Sequence, residues 1–178
     1  MINSKISAQA EASNALNYKG EVRITLRRGD LSYSYDLENE GTKHLLDTIT
    51  RALAGESIQG NTPKYLDILH GDYDISKQSS CLMSPILLSG ITWGEAAEAA
   101  TNEGRLLVNA SVTHEDKKAI AKLSRPRLAL KDASGKIIAT ISNHTAIQQM
   151  WESVDDGAEA LVAWSLVFSN KVKEKIEK

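Results

Sequence analysis

The stretch Glu159-Ala-Leu-Val-Ala-Trp-Ser-Leu-Val-Phe-Ser-Asn170 decides the fold class, because it predicts a long strand with almost no polar face. Side chains of a strand alternate between two faces. One face carries Val162, Trp164, Leu166 and Phe168. The opposite face is also apolar except for one serine. A strand of an open antiparallel sheet, by contrast, normally exposes one face to water. We therefore expect a further sheet, the chain's own helix or another subunit to cover the second face.

Other segments alternate in the same way and predict an antiparallel arrangement. Residues 22–26 and 31–37 flank Arg28-Gly29-Asp30, which predicts a β-hairpin. This tripeptide also matches an integrin-binding motif, but a tight turn explains it better, because Gly adopts positive φ and Asp tolerates it. Turn signals then recur about every 8–12 residues. Further strands are predicted at 65–69, 81–88, 91–93, 105–113, 127–131 and 136–141.

One segment has the helical period. Residues 42–54 place their apolar side chains on one stripe, with Thr42 suited to cap the start and Gly55 suited to end the helix. The stripe comprises Leu45, Leu46, Ile49, Ala52 and Leu53. Residues 143–154 stay ambiguous. The sequence thus predicts a mainly β protein: an antiparallel β-sandwich of about eight strands with one amphipathic α-helix after the first hairpin.

Composition favours a single domain with loose ends. The chain has 178 residues, of which 42% are hydrophobic, and a formal net charge of −2. We expect residues 1–17 to be a flexible or partner-ordered arm, residues 18–170 the domain, and residues 171–178 a charged tail. The near balance of charge argues against nucleic-acid binding. The N-terminus lacks a signal-peptide pattern and no apolar run is long enough to span a membrane, so synthesis in a cytoplasm is expected.

No catalytic, cofactor-binding or metal-binding residues are predicted. The four histidines are scattered, and the single Cys81 has no marked base beside it. Asp67, His70, Asp72 and Asp74 lie within eight residues, and the carboxylates of Asp72 and Asp74 could hold a hard cation such as calcium. The segment lacks the full acidic-loop pattern, so a polar loop is the better interpretation. A Ser/His/Asp arrangement assembled in space, as in a small hydrolase, stays open.

Four segments give the chain a likeness to a known class of proteins. They are Gly41-Thr-Lys-His-Leu-Leu-Asp-Thr-Ile-Thr-Arg-Ala-Leu-Ala-Gly55, Pro63-Lys-Tyr-Leu-Asp-Ile68, Leu82-Met-Ser-Pro-Ile-Leu-Leu88 and Leu161-Val-Ala-Trp-Ser-Leu-Val-Phe-Ser-Asn170. In this pattern, residues 20–170 resemble small structural proteins of tailed bacteriophages, particularly those of Gram-positive-type hosts. The resemblance implies a β-rich virion component that forms rings or trimers, and it carries over no site residues.

The expected function is therefore a non-enzymatic virion protein that self-assembles and docks on other virion proteins after synthesis in the host cytoplasm. The residues expected at the interface are Trp164, Leu166, Phe168, Ile2 and Ile6. Alternatively, the apolar strand is a central core strand of a monomer, covered by the helix of residues 42–54. A second functional class is a carbohydrate- or receptor-binding module of a phage fibre or baseplate, which would use exposed Tyr33, Tyr73 or Trp93.

Overall fold

The computed structural model describes residues 16–71, 73–74, 82–95, 103–119, 125–141 and 144–170. Within these residues the strands are β1 (Leu16–Arg28), β2 (Leu31–Gly41), β3 (Pro63–Leu69), β4 (Pro85–Leu87), β5 (Gly90–Glu95), β6 (Glu103–Val112), β7 (Arg127–Asp132), β8 (Ile137–Ile141) and β9 (Ala158–Asn170). The α-helices are α1 (Lys43–Leu53), α2 (His114–Ala119) and α3 (His144–Ser153), and Gln59–Asn61 form a 3-10 turn.

The nine strands form one antiparallel sheet in the order β4-β3-β7-β8-β2-β1-β9-β6-β5. The prediction of a mainly β antiparallel fold is confirmed, but the predicted sandwich of about eight strands is not. The sheet curls because its two edge strands, β4 and β5, are joined by Leu88 and Ser89 alone. The backbone N–H of Ser89 donates to the carbonyl of Asn109 (2.8 Å), and that of Leu88 donates to Lys64 (3.1 Å). One curled sheet thereby replaces the two expected layers.

The inside of the curl is the hydrophobic core. We call the side of the sheet that faces it the core face and the opposite side the outer face. Apolar side chains from β1, β6 and β9 meet those from β3 and β7 there, and α3 fills the space between them. Residues 144–153, within the stretch that is ambiguous in sequence, form α3 because its apolar side chains find this interior. Ile147 and Met150 of α3 are fully buried, as is Val154 just after it.

The first hairpin has the predicted turn. Gly29 has φ of 55°, whereas Asp30 keeps a negative φ. Glycine at the first central position with positive φ is the mark of a type II′ turn, whose twist suits a two-residue hairpin. Both strands are longer than predicted. β1 begins at Leu16, inside the stretch expected to be an arm, and β2 continues through Gly41 because its last three residues pair with β8.

Helix α1 begins and ends where the sequence predicts, but its buried face differs. The Thr42 hydroxyl accepts from the N–H of Leu45 (3.4 Å), and Gly55 has φ of 79°. Leu45 is buried, whereas Leu46 and Leu53 are 57% and 82% exposed. The helix is rotated from the predicted orientation because polar residues beside Leu45 occupy part of its buried face. The buried polar residues of α1 are His44 and Thr48.

Candidate functional site

Most of strand β2 has only one partner. It pairs with β1 along residues 31–39, but with β8 only at Asn39, Glu40 and Gly41. Among the described residues, no strand pairs with the other side of β2 from residue 31 to residue 38. We call this stretch the open β2 edge. An unpaired edge offers a row of backbone donors and acceptors to an extended chain, and proteins usually protect it with Lys, Pro or bulges. Neither Lys nor Pro occurs in residues 31–38.

The hairpin register determines which backbone groups face the open β2 edge. The two-residue turn makes Arg28 and Leu31 a hydrogen-bonded pair, and such pairs recur at every second residue. The odd-numbered residues of β2 therefore direct N–H and C=O groups at β1. Those of Ser32, Ser34 and Asp36 point away from β1. The bond from the N–H of Thr42 to Ile138 (2.9 Å), further along the same side, agrees with this parity.

Exposed apolar side chains accompany the open β2 edge. Leu31 and Tyr33 lie on the core-face side of the hairpin, beyond the end of the core, and are 61% and 67% exposed. Tyr35 is half-buried, and its hydroxyl donates to the carbonyl of Ala146 on α3 (3.3 Å). Burial raises the pKa of Tyr35 to about 12. The edge thus combines unpaired backbone groups with two apolar side chains exposed to water.

The outer face of the open β2 edge is polar, and two of its side chains are hydrogen-bonded to side chains of β1. Arg23 donates from Nε and Nη2 to the carboxylate of Asp36 (2.8 and 3.0 Å). This hydrogen bond, reinforced by the opposite charge, holds the pKa of Asp36 below its ordinary value. Thr25 and Ser34 share a hydrogen bond of 2.8 Å. The charges of Arg23 and Asp36 are therefore matched within the hairpin, and Ser32 and Ser34 are small neutral side chains along the edge.

Beside the hairpin, the outer face forms a groove of about 560 Å³, which we call the outer groove. Its floor is β9, at Ala163 and Ser165, and Arg105 of β6 stands on one side. Ser165 is 8% exposed, and its Oγ has no hydrogen-bond partner among the described residues. No histidine of the described part of the chain lines the groove, so the described residues place no base beside this serine for nucleophilic chemistry. The charged residues of the opposite side are Glu21, Arg23, Asp36 and Glu38.

The second face of β9 lies on the outer face of the sheet, and within the described residues neither a further sheet nor helix α1 covers it. Helix α1 packs beside β8 and not over β9. Val167 is nevertheless 5% exposed. Its ladder partner on β6 is Arg105, whose long aliphatic stem suits this role on a sheet surface. The floor of the outer groove is thus partly sheltered without a second layer.

Of the five residues predicted at an interface, two are buried in the core, one is half-buried and two lie outside the described residues. Trp164 and Leu166 are each 1% exposed and belong to the core of the single chain. This placement matches the alternative of a central core strand, so their side chains offer no surface to a neighbouring subunit. Phe168 is half-buried, with its ring 5.6 Å from that of Tyr18. Ile2 and Ile6 lie outside the described residues.

One histidine is close to a carboxylate, as a hydrolase would require. His44 Nε2 lies 2.6 Å from Asp132 Oδ2, with side chains 7% and 0% exposed. The other oxygen of Asp132 accepts from the N–H and Oγ of Ser134 and from the N–H of Lys136. These contacts of the carboxylate therefore hold the β7–β8 turn and helix α1 in place. Since neither residue lines the outer groove, we interpret the pair as the anchor of α1.

The described residues of the acidic segment 67–74 do not form a cation site. Asp67 is fully buried, and its Oδ2 lies 2.6 Å from Nζ of Lys131, also fully buried. The carboxylate also accepts from the N–H groups of Met83 (3.1 Å) and Ser84 (2.7 Å). Asp72 lies outside the described residues. Among the described residues no group of three His, Cys, Asp or Glu side chains is arranged to hold a metal ion.

The aromatic residues considered for glycan stacking are not gathered in one groove. Tyr33 lies at the hairpin end of β2. Tyr73 packs against Leu69, Ala129 and Ile137, with Nζ of Lys131 5.3 Å from its ring centroid. The side chain of Trp93 is outside the described part of the chain. The two described tyrosines therefore do not form a shared platform.

Comparison with known proteins gives no further guide. No protein-family model, curated protein or solved structure matches the chain. None of the helices within the described residues has the length and apolar content that a membrane crossing requires.

Sequence reasoning identified strand β2 but missed its open edge. The alternation of Leu31, Tyr33 and Tyr35 with small polar residues predicts a half-buried strand, and the same pattern fits a strand with one neighbour or with two. The predicted strands, residues 31–37 and 136–141, are nearly equal in length and gave no sign of it. The structure shows the difference. β8 is five residues long and β2 eleven, so β8 alone cannot pair with all of β2.

Proposed function

We propose that the protein is a non-enzymatic structural component that self-assembles through pairing of edge strands. The observation that carries this proposal is the open β2 edge, with outward backbone groups at Ser32, Ser34 and Asp36 and exposed Leu31 and Tyr33 beside them. Strand addition to such an edge supplies main-chain hydrogen bonds, and neighbouring side chains give specificity.

The setting that we propose is the virion of a tailed bacteriophage, where the chain would also dock on other virion proteins. The resemblance of residues 20–170 to phage structural proteins supports this setting. A repeated interface between identical subunits is the usual way in which small domains build closed particles. The buried positions of Trp164 and Leu166 favour assembly through the open β2 edge over assembly through β9.

The self-assembly part is tested by light scattering with mass determination over a concentration series of the full chain. We expect a mass above that of the 19.4 kDa monomer at micromolar concentration. A monomer throughout the series would overturn self-assembly. Mass spectrometry of phage particles purified from the cells that encode the chain checks the setting, and we expect its peptides in the particle. Their absence from complete, infectious particles would overturn the virion assignment.

A further inference from the structure

The geometry points to a second copy of this chain as the occupant of the open β2 edge, paired antiparallel about a two-fold axis at Ser34. This inference rests on the self-assembly proposed above and specifies its partner and register. Two identical edges can pair only antiparallel when they are related by a two-fold axis, because that axis reverses the strand direction. The register then follows from three constraints.

The first constraint is hydrogen-bond parity. Outward backbone groups of one copy must meet outward groups of the other, so even-numbered residues pair with even-numbered residues. An axis at Ser34 places Ser34 opposite Ser34 of the partner subunit, and Ser32 opposite the partner's Asp36. Each of these pairs would exchange two backbone hydrogen bonds across the axis. All outward groups from Ser32 to Asp36 are then satisfied.

The second constraint is the length of the open stretch. An axis at Ser34 pairs residues 31–37 of the two copies, a span that lies within the open β2 edge. An axis at Tyr33 would shorten the ladder to residues 31–35 and leave the outward groups of Asp36 outside it. An axis at Tyr35 would require Leu31 to pair with the partner's Asn39, whose edge is already occupied by Ile141 of β8. The axis at Ser34 therefore gives the longest ladder that ends before Asn39.

The third constraint is side-chain complementarity. With the axis at Ser34, Leu31 faces the partner's Leu37 and Tyr33 faces the partner's Tyr35 on the core-face side. These are non-hydrogen-bonded pairs, in which side chains approach most closely. The two exposed apolar residues of the edge would thus gain apolar neighbours. On the outer face, the hydroxyl of Ser32 can donate to the carboxylate of the partner's Asp36, which Arg23 keeps charged.

Charge placement tests the register. Ser34→Lys puts two ammonium groups opposite each other at the axis, and we expect the dimer dissociation constant to rise at least tenfold. Ser32→Lys carries the same charge but faces the partner's Asp36, so the dimer should be kept or tightened. Ser34→Ala loses the hydrogen bond to Thr25 without adding charge and should still dimerise. Circular dichroism of each variant reports whether the fold is intact.

Cross-linking gives a second, covalent readout. In a Cys81→Ser background, Ser34→Cys should form a disulfide-linked dimer under mild oxidation, because the paired Cα atoms would lie within the usual 4.4–6.8 Å range. Ser32→Cys in the same background places the two thiols several residues apart along the ladder, so it should remain uncross-linked. Cross-linking of Ser32→Cys with none for Ser34→Cys would overturn the register.

The outcomes separate this inference from the function on which it rests. A monomeric wild-type chain overturns self-assembly and the pairing with it. An oligomer that Ser34→Lys leaves intact and Ser34→Cys fails to cross-link overturns the pairing only, and assembly then uses another surface. Deletion of residues 1–15 should leave the dimer unchanged. Loss of the dimer in that variant would make the N-terminal segment of a neighbour the occupant and would overturn the two-fold pairing.

Discussion

Trp164 on β9 donates its indole N–H to the side-chain oxygen of Asn39 on β2, 2.8 Å away across the intervening strand β1, in the orientation of the Asn39 amide that satisfies both its oxygen and its nitrogen. The same oxygen accepts from the backbone N–H of Glu21 (3.0 Å), and the amide nitrogen donates to the hydroxyl of Tyr18. Gly20 makes this contact possible, because it pairs with Asn39 and leaves room above β1. Hydrogen bonds that join three strands in this way fix the relative positions of the strands inside the core.

The space above Gly20 should not tolerate a methyl group. A Cβ at this position would lie 2.2 Å from Cγ of Asn39, so Gly20→Ala must displace the amide from Trp164. We expect a loss of about 2–4 kcal/mol from overpacking and from the unpaired indole N–H. Urea unfolding followed by tryptophan fluorescence measures the loss. Gly60→Ala is the matched control, since nothing lies within 4 Å there, and an equal loss in both variants would contradict the explanation.

The buried ion pair should be costly to break from one side. Lys131→Met leaves the Asp67 carboxylate fully buried, with the N–H groups of Met83 and Ser84 as its remaining partners among the described residues. We expect a destabilisation of about 3–5 kcal/mol. Lys43→Met is the same substitution in the exposed pair with Asp47 and should change the free energy of unfolding by less than about 0.5 kcal/mol. Similar urea midpoints for the two variants would show that burial of the pair does not matter.

The anchor of α1 should respond to loss of its donor. His44→Leu removes the ring nitrogen from the fully buried Asp132 and leaves Oδ2 without its 2.6 Å partner. We expect a loss of about 1–3 kcal/mol, the cost of an unsatisfied buried acceptor. Leu53→Ala on the same helix changes an 82% exposed side chain and serves as the control. Thermal unfolding checks both, and a near-neutral His44→Leu would argue that the pair is not an anchor.

Alkaline pH should destabilise the fold through Tyr35. Burial raises its pKa from 10.0 to about 12, so the folded state keeps the phenol proton while the unfolded state loses it. The stability from this group is fully present below pH 10 and is lost as the pH rises towards 12. Because Tyr35 is only half-buried, the loss is moderated by solvent. Burial raises the pKa of Tyr18 as well, with the same sign.

Urea unfolding at pH 9 and at pH 11 measures this effect. Tyr35→Phe should lose slightly at pH 9, because its bond to Ala146 is gone, and should lose less than the wild type between the two pH values. Tyr33→Phe, at a 67% exposed position, should follow the wild type. A Tyr35→Phe variant with the wild-type slope would contradict the assignment.

Local patterns predicted most of the strands and one helix. The turn at Gly29, the bounds of α1 and the strand of residues 158–170 follow from backbone preference and periodicity, which act over a few residues. Helix α3 did not follow, because its short apolar pattern fits more than one element until the curled sheet provides an interior. The buried face of α1 was misplaced for a similar reason, since His44 is drawn inside by Asp132, 88 residues away in the chain.

The sequence by itself determined that this is a mainly β protein with an amphipathic helix after its first hairpin, because alternation and capping are local properties. The tertiary structure alone decided that the sheet is single and curled, that Trp164 is interior, and that β2 has an open edge. The pairing partners of the strands are set by contacts between distant segments of the chain. The two-residue link between the edge strands β4 and β5 adds a further constraint, because it makes the sheet curl. A strand pattern records which side chains are apolar, but it does not record how many neighbours the strand has.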